Sequence, residues 1–492
     1  MPERRKNSNY LAAIDCGTTE IKAAIFSTKG RQMGSAAAAC PCLTLKDGRI
    51  EQPPELIIRQ ALSCLKRAVD NSRLNPKNIA AISVSSQRAT VIPLDNIGKP
   101  SGNAISWQDM TGQLALDKFR RKISDQNYYK ITGLPNNPIF SLAKILKAQR
   151  AAKYVLVHDY LMYHLGCSDY YTDWSNASLT GLFDVSNLAW NKQLLKLAGL
   201  NEANLPALVP SGKKIGVLSQ RAASQGGLLP GTPLIAGGGD QQCGGLGAGC
   251  VKPGIAQISL GTAGVVLCYS ARPIKDPKMR ISTCAHAVPG AWESEGLQNS
   301  AGASLNWLKK LFGLSKRIPD SFVEQIKPGS NGALFFPFLA GASAPHWRPN
   351  LHAMFFGLTL AHGPAVILRA VMEGVSMETR EILEVFGSLD IPVKEIRLTG
   401  GYSKDLTWNQ LQADIYNMPV ATLENEQASL LGAAMLAAYG VGIYKTLEQA
   451  AGRMVKIKRI FLPNRRRVAD YERVYQKYGQ VYQQMAASGE DV

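Results

Sequence analysis

An aspartate that directly follows three glycines is a candidate catalytic residue of this chain. Asp240 comes directly after glycines 237–239, and an apolar, strand-like segment at 233–236 leads into them. A carboxylate at the mouth of a strand is able to take a proton from a hydroxyl as that oxygen attacks phosphorus. The glycines are expected to remove side chains where a substrate must approach. The same aspartate is suited to cap a helix, and both roles are compatible because a cap fixes the carboxylate.

A second chemical segment lies near the start of the chain. Asp15 ends an apolar run and is followed by Cys16-Gly17-Thr18-Thr19-Glu20-Ile21-Lys22. Successive amides of a glycine-containing turn make an anion nest, so this turn is suited to the phosphates of ATP. Asp15 is placed to hold Mg²⁺ directly or through water. An ordinary hairpin turn explains the same residues, and the P-loop pattern G-x-x-x-x-G-K-[ST] does not occur.

Two later glycine-containing turns add candidates for nucleotide binding. The segment 258–264 repeats the Gly-Thr turn as Gly261-Thr262 without its acid, so it offers amides and a hydroxyl to the γ-phosphate but no metal ligand. This asymmetry predicts metal chemistry in the first half only. The strand-like segment before Gly400-Gly401-Tyr402, with the amphipathic segment after it, fits an adenosine platform. A plain hairpin and a plain β–α connection are the alternative explanations.

The segments around these residues alternate between two patterns. Residues 21–26 and 79–85 are β-rich, whereas residues 54–71 carry apolar side chains at helical spacing. Residues 468–485 show a tyrosine-rich stripe typical of an amphipathic helix that packs on the rest of the chain. The alternation predicts an α/β architecture. Because 492 residues exceed what one compact core usually holds, we expect two or more domains.

A weak internal repeat indicates how these domains are related. The pattern at 14–19 recurs at 258–263, about half the chain later, and each copy precedes a second β-rich run. Two similar halves, each opening with a Gly-Thr hairpin, are what a duplicated nucleotide-clamping fold shows. A chance match of so short a pattern is the alternative. We place the domain boundary in the glycine-rich stretch after Asp240, which gives domains 1–248 and 249–492.

Charge and cysteine usage limit the class of protein. The formal net charge of +18 raises the question of nucleic-acid binding, but the basic clusters at 4–6, 120–122 and 465–467 are short and lack interleaved aromatic residues. A surface that attracts anionic nucleotides is the favoured interpretation. The nine cysteines show no CxxC pair and are interpreted as reduced core residues of a cytoplasmic protein. No apolar run is long enough to predict a membrane-spanning helix.

In their order and spacing, these segments resemble the FGGY carbohydrate kinase family, which includes glycerol kinase, xylulokinase and the autoinducer kinases. Further stretches extend the resemblance over residues 10–450, among them a tryptophan-centred segment at 105–109, an "HALPG"-like segment at 284–290 and an "ALGAA"-like segment at 431–434. The resemblance implies two ribonuclease-H-like domains of the actin-like ATPase kind around a cleft. It places ATP on the second domain and the sugar mainly on the first.

The resemblance also implies roles for individual residues. Asp240 matches the catalytic base, and Asp15 and Asp240 match the metal-associated carboxylates. The implied sugar-binding residues are Arg88, Trp107, Asp109, Asp240 and Gln241. The implied nucleotide-binding residues are Thr18, Thr19, Lys22, Gly261, Thr262, Gly302, Asn306, Gly401 and Tyr402.

Two positions depart from the glycerol kinase pattern. Arg88 matches the polyol-binding arginine of "NQRET", but Ala89 stands where its glutamate is expected. Ile139 replaces the tyrosine of "PYFS". A site without these hydroxyl-binding partners discriminates against a small triol. The segment 172–178 and the glycines before Asp240 look nearer to the xylulokinase and autoinducer kinase branches.

We therefore expect ATP-dependent phosphorylation of a hydroxyl on a small sugar or polyol, with Mg²⁺ as the metal. A ketose or pentose is favoured, and glycerol or another polyol is the alternative. A non-catalytic, actin-like nucleotide-binding regulator is the alternative from another class. The presence of Asp240 together with Asp15 argues against it, because a protein that only binds a nucleotide does not need a catalytic base. No nucleic-acid or membrane partner is expected, and a homodimer is left open.

Overall fold

The computed structural model describes residues 10–148, 151–313 and 323–488. The strands are β1 (Tyr10–Cys16), β2 (Glu20–Ser27), β3 (Gln32–Ala39), β4 (Leu43–Thr44), β5 (Ile50–Gln52), β6 (Ile79–Ser86), β7 (Val91–Leu94), β8 (Ala104–Ile105), β9 (Lys153–Leu156), β10 (Tyr171–Asp173), β11 (Phe183–Asp184), β12 (Ala189–Trp190), β13 (Ala207–Val209), β14 (Lys214–Val217), β15 (Pro233–Gly239), β16 (Gly254–Leu260), β17 (Gly264–Ser270), β18 (Ser282–Ala285), β19 (Trp292–Gln298), β20 (Leu334–Phe336), β21 (Met354–Phe356), β22 (Val393–Thr399), β23 (Val420–Leu423) and β24 (Ile457–Phe461). The helices are α1 (Pro54–Ser72), α2 (Gln113–Arg120), α3 (Asp125–Thr132), α4 (Ser141–Lys147), α5 (Val157–Leu165), α6 (Trp174–Ser178), α7 (Lys192–Ala198), α8 (Gln220–Gly226), α9 (Asp240–Ala248), α10 (Ala301–Leu311), α11 (Pro364–Ser388), α12 (Leu406–Tyr416), α13 (Ala428–Gly440), α14 (Leu447–Met454) and α15 (Arg465–Ser488). Short 3₁₀ turns lie at Pro76–Asn78, Glu202–Asn204, Ser330–Gly332 and Gly401–Lys404.

Two large sheets share one topology. The first has the strand order β14-β15-β6-β1-β2-β3, and the second has the order β18-β19-β17-β16-β22-β23-β24. In the first, β1, β2 and β3 are antiparallel neighbours, and β6 and β15 continue the sheet in parallel. In the second, β16, β17 and β19 repeat the antiparallel part, and β22 and β23 repeat the parallel part. This duplication confirms the expected α/β architecture of two ribonuclease-H-like units.

The Gly-Thr repeat lies at equivalent places in the two sheets. In the first sheet the hairpin of β1 and β2 closes at the pair Cys16 and Ile21. In the second sheet the hairpin of β16 and β17 closes at the pair Leu260 and Gly264. The repeated pattern therefore marks the first hairpin of each unit and is not a chance match.

The elements predicted from periodicity are present with small extensions. The helix predicted at 54–71 is α1, and the strand predicted at 79–85 is β6. The terminal helix predicted at 468–485 is α15, and its Tyr471 and Tyr478 are fully buried in the core of the second unit. Tyr471 accepts a hydrogen bond from the guanidinium of Arg369 at 2.6 Å and donates one to Glu373 at 2.8 Å. The tyrosine stripe is thus a packing surface, as predicted.

All nine cysteines and two of the three basic clusters lie within the described residues. All nine cysteines are unpaired, and only Cys42 is more than slightly exposed. The basic cluster at 120–122 begins at the end of α2 and the one at 465–467 opens α15, while the cluster at 4–6 lies outside the described residues. In the part of the chain that the structure describes, no helix is both long and apolar enough to cross a bilayer.

A smaller sheet extends the first unit. It has the order β4-β5-β8-β7-β9, and it shares a separate hydrophobic core with α2, α3 and α4. Trp107 and Ile139 lie at the edge of this core, partly buried. This lobe, formed by the smaller sheet with α2, α3 and α4, therefore adds Trp107 and Ile139 to the side chains that the large sheet of the first unit carries.

Helices α9 and α13 pack directly against each other between the two large sheets. A Cβ added at Gly432 would lie 1.9 Å from the carbonyl oxygen of Cys243, and one added at Gly247 would lie 1.9 Å from that of Ala428. Only glycine permits so close an approach of two backbones. Helix α13 also packs on β1 and β6, so residues from the second half of the chain cover the first sheet. The boundary predicted after residue 248 falls between α9 and β16, and the division into domains 1–248 and 249–492 stays a proposal.

This helix contact predicts a large effect of a single methyl group. We expect Gly432→Ala to destabilise the protein by about 1–3 kcal/mol, because the new Cβ overlaps backbone that cannot move independently. Differential scanning fluorimetry should show a lower Tm. The matched control is Gly452→Ala in α14, where an added Cβ meets nothing within 4 Å and alanine gains helix propensity. A Gly432→Ala protein as stable as the wild type contradicts the tight contact.

Candidate active site

Asp240 stands at the first position of α9, where β15 ends. Its backbone is held on both sides, because the N–H of Gly239 donates to Ser175 Oγ at 2.9 Å and the hydroxyl of Ser429 donates to the Asp240 carbonyl at 2.9 Å. The carboxylate accepts the N–H of Gln241 at 2.8 Å and is 28% exposed. Asp240 therefore opens the helix without capping its later amides, and its carboxylate lines a cleft.

The three glycines before Asp240 make room for protein atoms. A Cβ at Gly237 would lie 1.7 Å from the carbonyl oxygen of Val84 on β6, and one at Gly239 would lie 2.6 Å from Cδ of Arg88. The glycines thus allow β15 to approach β6 and leave space for the Arg88 side chain. This corrects the expectation that they clear a path for a substrate.

Arg88 links Asp240 to a glutamate from the second sheet. Its Nη1 and Nη2 donate to the two carboxylate oxygens of Glu295 at 2.7 and 3.1 Å, and its Nε lies 3.3 Å from Asp240 Oδ1. Because Glu295 belongs to β19, this ion pair spans the two units. The two side chains are only 12% and 6% exposed, and a bidentate charge-assisted pair is strong in such surroundings. Sequence reasoning missed Glu295, since the acids of β19 belong to no recognised motif.

Burial and neighbouring charges shift the pKa values of Asp240 and Arg88. Burial raises the pKa of Asp240, the guanidinium of Arg88 opposes this rise, and the charge of Glu295 adds to it. Burial alone would lower the pKa of Arg88, but Glu295 and Asp240 together raise it, so the guanidinium stays charged. A carboxylate with a raised pKa accepts a proton more readily than an ordinary aspartate does.

Asp15 lies at the end of β1, near Asp240. Burial raises its pKa to about 6, a hydrogen bond from the Ser85 hydroxyl at 2.7 Å opposes the rise, and the charge of Asp240 adds to it. Among the described residues, no group of three or more His, Cys, Asp and Glu side chains is arranged to hold a metal. Mg²⁺ is usually bound by one or two carboxylates, with water and phosphate oxygens completing its shell. The pair of Asp15 and Asp240 fits that donor set.

A cleft of about 130 Å³ lies beside Asp240. Its polar lining consists of Thr18, Arg88, Trp107, Asp240, Gln241 and Glu295. Its apolar lining consists of Ala89, Ile139, Phe140, Leu179, Ala263, Val265 and Leu297. Sites for drug-sized ligands measure roughly 300–1,000 Å³, so this cleft suits a smaller molecule.

The structure brings most of the predicted sugar-binding residues into this cleft: Arg88, Trp107, Asp240 and Gln241. Asp109 does not line it. Its carboxylate is buried and accepts the backbone N–H groups of Ile50 at 3.0 Å and Thr111 at 2.8 Å. Asp109 thus holds the loop that follows β8, while Trp107 of the same loop reaches the cleft and donates its Nε1–H to Thr18 Oγ1 at 2.8 Å.

A buried lysine holds the loops that face the cleft. Lys144 Nζ donates to the carbonyl oxygens of Trp107 at 3.0 Å, Pro138 at 2.5 Å and Ile139 at 2.8 Å. Burial lowers the pKa of Lys144 to about 7, and the charge of Asp109 opposes this. Because Trp107 and Ile139 both line the cleft, Lys144 fixes two of its walls. No signal of this role was present in the sequence, because Lys144 is one of two lysines in a short helix and belongs to no motif.

The predicted nucleotide residues of the second half gather around the second Gly-Thr turn. The N–H of Gly302 at the start of α10 donates to the carbonyl of Gly261 at 3.0 Å. Tyr402 donates its hydroxyl to Asn306 Oδ1 at 2.6 Å, and a Cβ at Gly302 would lie 2.1 Å from the Tyr402 ring. One surface therefore unites Gly261, Thr262, Gly302, Asn306, Gly401 and Tyr402.

The predicted residues of the first turn lie on the other side of the cleft. Thr18 lines the cleft itself, and Thr19 is exposed at the tip of the turn. Lys22 on β2 pairs with Glu20 at 3.2 Å, and its charge lowers the pKa of Asp15. Thr18 of the first turn, Ala263 beside the second Gly-Thr turn and Asp240 thus line the same cleft.

Comparisons with known proteins agree with this geometry. The model of the N-terminal domain of the FGGY family of carbohydrate kinases matches residues 10–247, and the model of its C-terminal domain matches residues 256–441. The chain is 30% identical over 486 residues to a xylulose kinase of Bacillus subtilis (strain 168), with 96% of each chain covered. It is 31% identical over 457 residues to a gluconokinase of the same organism, with 88% of each chain covered.

A solved structure shares the whole fold. The gluconate kinase from Lactobacillus acidophilus superposes with a TM-score of 0.90 at 25% identity, and the match covers 97% of this chain and 98% of that one. Sequence motifs, duplicated topology and full-length similarity lead to the same result. The chain belongs to the FGGY family of carbohydrate kinases, as its motifs predicted, and is a kinase that uses ATP.

Proposed function

We propose that this kinase transfers the γ-phosphoryl group of ATP to a primary hydroxyl of a small ketose or pentose, with Asp240 as the general base. The observation that carries the proposal is the position of Asp240. It lies between the polar lining of a small-molecule cleft and two Gly-Thr turns, and Arg88 and two backbone hydrogen bonds hold it there. Similarity to xylulose kinases over nearly the whole chain supports the ketose as the acceptor.

The chemistry follows from that placement. The acceptor hydroxyl gives its proton to the Asp240 carboxylate while its oxygen attacks the γ-phosphorus, and ADP leaves with the electrons of the broken P–O bond. In this proposal Gly261 and Thr262 of the second Gly-Thr turn lie against the phosphate oxygens, with the Thr262 hydroxyl as a donor, and Tyr402 and Asn306 lie beside the adenosine. Closure of the two units excludes water that would otherwise accept the phosphoryl group.

Asp15 and Asp240 are proposed to hold Mg²⁺, in part through water. When bound there, the ion neutralises charge on the phosphates. Thr18, Thr19 and Lys22 are proposed phosphate contacts, and Trp107, Arg88 and Gln241 are proposed sugar contacts. Asp109 is assigned the support of the Trp107 loop and no direct sugar contact.

Glycerol or another small polyol is the second candidate acceptor. Arg88 resembles the polyol-binding arginine of glycerol kinases, which favours it. However, Ala89 and Ile139, which replace the two hydroxyl-binding residues of that group, both belong to the apolar lining. Cytoplasmic location stays part of the proposal on the basis of the nine unpaired cysteines, and a homodimer stays a prediction.

Removal of the base tests the central step. We expect Asp240→Asn to lower kcat by about 10²–10⁴-fold, because an amide cannot take the proton. ADP affinity measured by calorimetry should stay close to that of the wild type, since Asp240 lies away from the adenosine side. The control is Asp117→Asn, a surface aspartate of α2 that is 43% exposed. Near-normal turnover of D-xylulose by Asp240→Asn, with ADP release as the readout, would falsify the assignment.

The pH profile tests which carboxylate is the base. The base must be ionised to accept a proton, and the pKa of Asp240 is raised. On acidification, kcat/KM is therefore expected to fall at a pH above the pKa of an ordinary aspartate, which is about 3.9. Glu295→Gln removes a charge that raises this pKa and frees Arg88 to pair with Asp240. The acid limb of the profile should therefore move to lower pH in that variant.

This profile also separates Asp240 from Asp15. Burial, the Ser85 hydroxyl and the charge of Asp240 are the main causes of the pKa of Asp15, about 6, so an acid limb controlled by Asp15 should stay in place in Glu295→Gln. Glu472→Gln, a substitution on the surface at 49% exposure, serves as the control and should leave the limb unchanged. An unmoved limb in Glu295→Gln contradicts the role of Asp240.

A further inference from the structure

The charges in the cleft distinguish two classes of small acceptor. A ketose or alditol is neutral, whereas an aldonate with the same carbon skeleton ends in a carboxylate that is ionised at neutral pH. Both classes offer a primary hydroxyl to Asp240. The residues around that hydroxyl therefore decide which class is accepted.

Among the described residues that line the cleft, Arg88 is the only cation. Each of its three guanidinium nitrogens is already within 3.3 Å of a carboxylate oxygen, two on Glu295 and one on Asp240. The cluster thus holds one positive and two negative formal charges. Lys22 of the first Gly-Thr hairpin is paired with Glu20, and Lys144 faces backbone carbonyls behind the cleft wall.

The rest of the lining offers no positive charge to compensate the charge of a carboxylate. Ile139, Leu179, Val265 and Leu297 carry no hydrogen-bond donor, so a charged group against them loses its hydration without a partner. Thr18 and Gln241 offer a neutral hydroxyl and a neutral amide, which suit sugar hydroxyls. Apart from these neutral groups, the carboxylate of an aldonate meets carboxylates or an apolar surface.

We infer that the cleft accepts neutral ketoses or alditols and discriminates against aldonates, and that Glu295 sets this discrimination by neutralising Arg88. The inference rests on the proposed function, because it presumes a hydroxyl acceptor in this cleft. Glu295 acts through Arg88 and is therefore a positioning residue, which neither the family motifs nor the sequence singled out.

Acceptor pairs that share a skeleton test the inference on the wild-type protein. ADP release would be measured with D-xylulose and with the pairs xylitol and D-xylonate, and D-glucitol and D-gluconate. We expect kcat/KM to be at least about 100-fold higher for the best neutral acceptor than for either aldonate. Equal or better turnover of an aldonate overturns the inference while leaving the kinase function intact. No ADP release with any of these compounds overturns the proposed function, and the inference with it.

Substitution of Glu295 tests the residue assignment. Glu295→Gln should raise the aldonate-to-neutral ratio of kcat/KM by about tenfold at low salt, and less at high salt, because the charge of Arg88 is then no longer neutralised by Glu295. The matched control is Glu293→Gln on the same strand. Glu293 lies outside the lining, bonds to Gln242 at 2.6 Å, and burial raises its pKa. An unchanged ratio in Glu295→Gln, or an equal rise in Glu293→Gln, overturns the role of Glu295.

Discussion

A buried guanidinium between two carboxylates is the interaction on which this site depends. Arg88 follows the end of β6, Asp240 follows the end of β15, and Glu295 lies on β19 in the second sheet. Taking these charges out of water is costly unless each finds its partner, and loss of one partner leaves an uncompensated charge behind. In the proposed function the base, the acceptor cleft and the contact between the two units therefore share one electrostatic arrangement, so a change in one affects the others.

Backbone packing supplies the precision that this arrangement needs. Glycines in α9 and α13 allow the helices to touch, and Ser429 of α13 then reaches the carbonyl of Asp240. On the other side, Ser175 receives the amide of Gly239 and donates its own hydroxyl to Asp173. A general base has to be held within hydrogen-bond reach of its proton, and these bonds from two different parts of the chain hold it without using its carboxylate.

The functional residues could be predicted from the sequence where they are neighbours in the chain. The Gly-Thr hairpins, Asp240 after its glycines and the turn at Tyr402 are local patterns, and each was found in the expected element. Glu295, Lys144 and Ser175 were missed, because their roles come from partners far away in the chain and no neighbouring residue marks them. Asp109 was singled out from its motif as a sugar contact, but a motif does not give the direction of a side chain, and its carboxylate bonds to the backbone of Ile50 and Thr111. The glycines before Asp240 were found for an incorrect reason, since the atoms that they admit belong to Val84 and Arg88.

The hydrogen bond from Trp107 to Thr18 has a thermodynamic consequence. It joins a side chain of the acceptor cleft to the hydroxyl of the first phosphate-facing turn. Because Thr18 receives its bond from the indole, its own proton is directed elsewhere, and any ligand that shifts the indole redirects that proton. In the proposed function, an acceptor that displaces this indole would change the partner of the Thr18 hydroxyl, and by linkage the nucleotide would change the affinity for the acceptor by the same factor. The Trp107–Thr18 hydrogen bond is thus the contact through which the two proposed binding steps would be coupled.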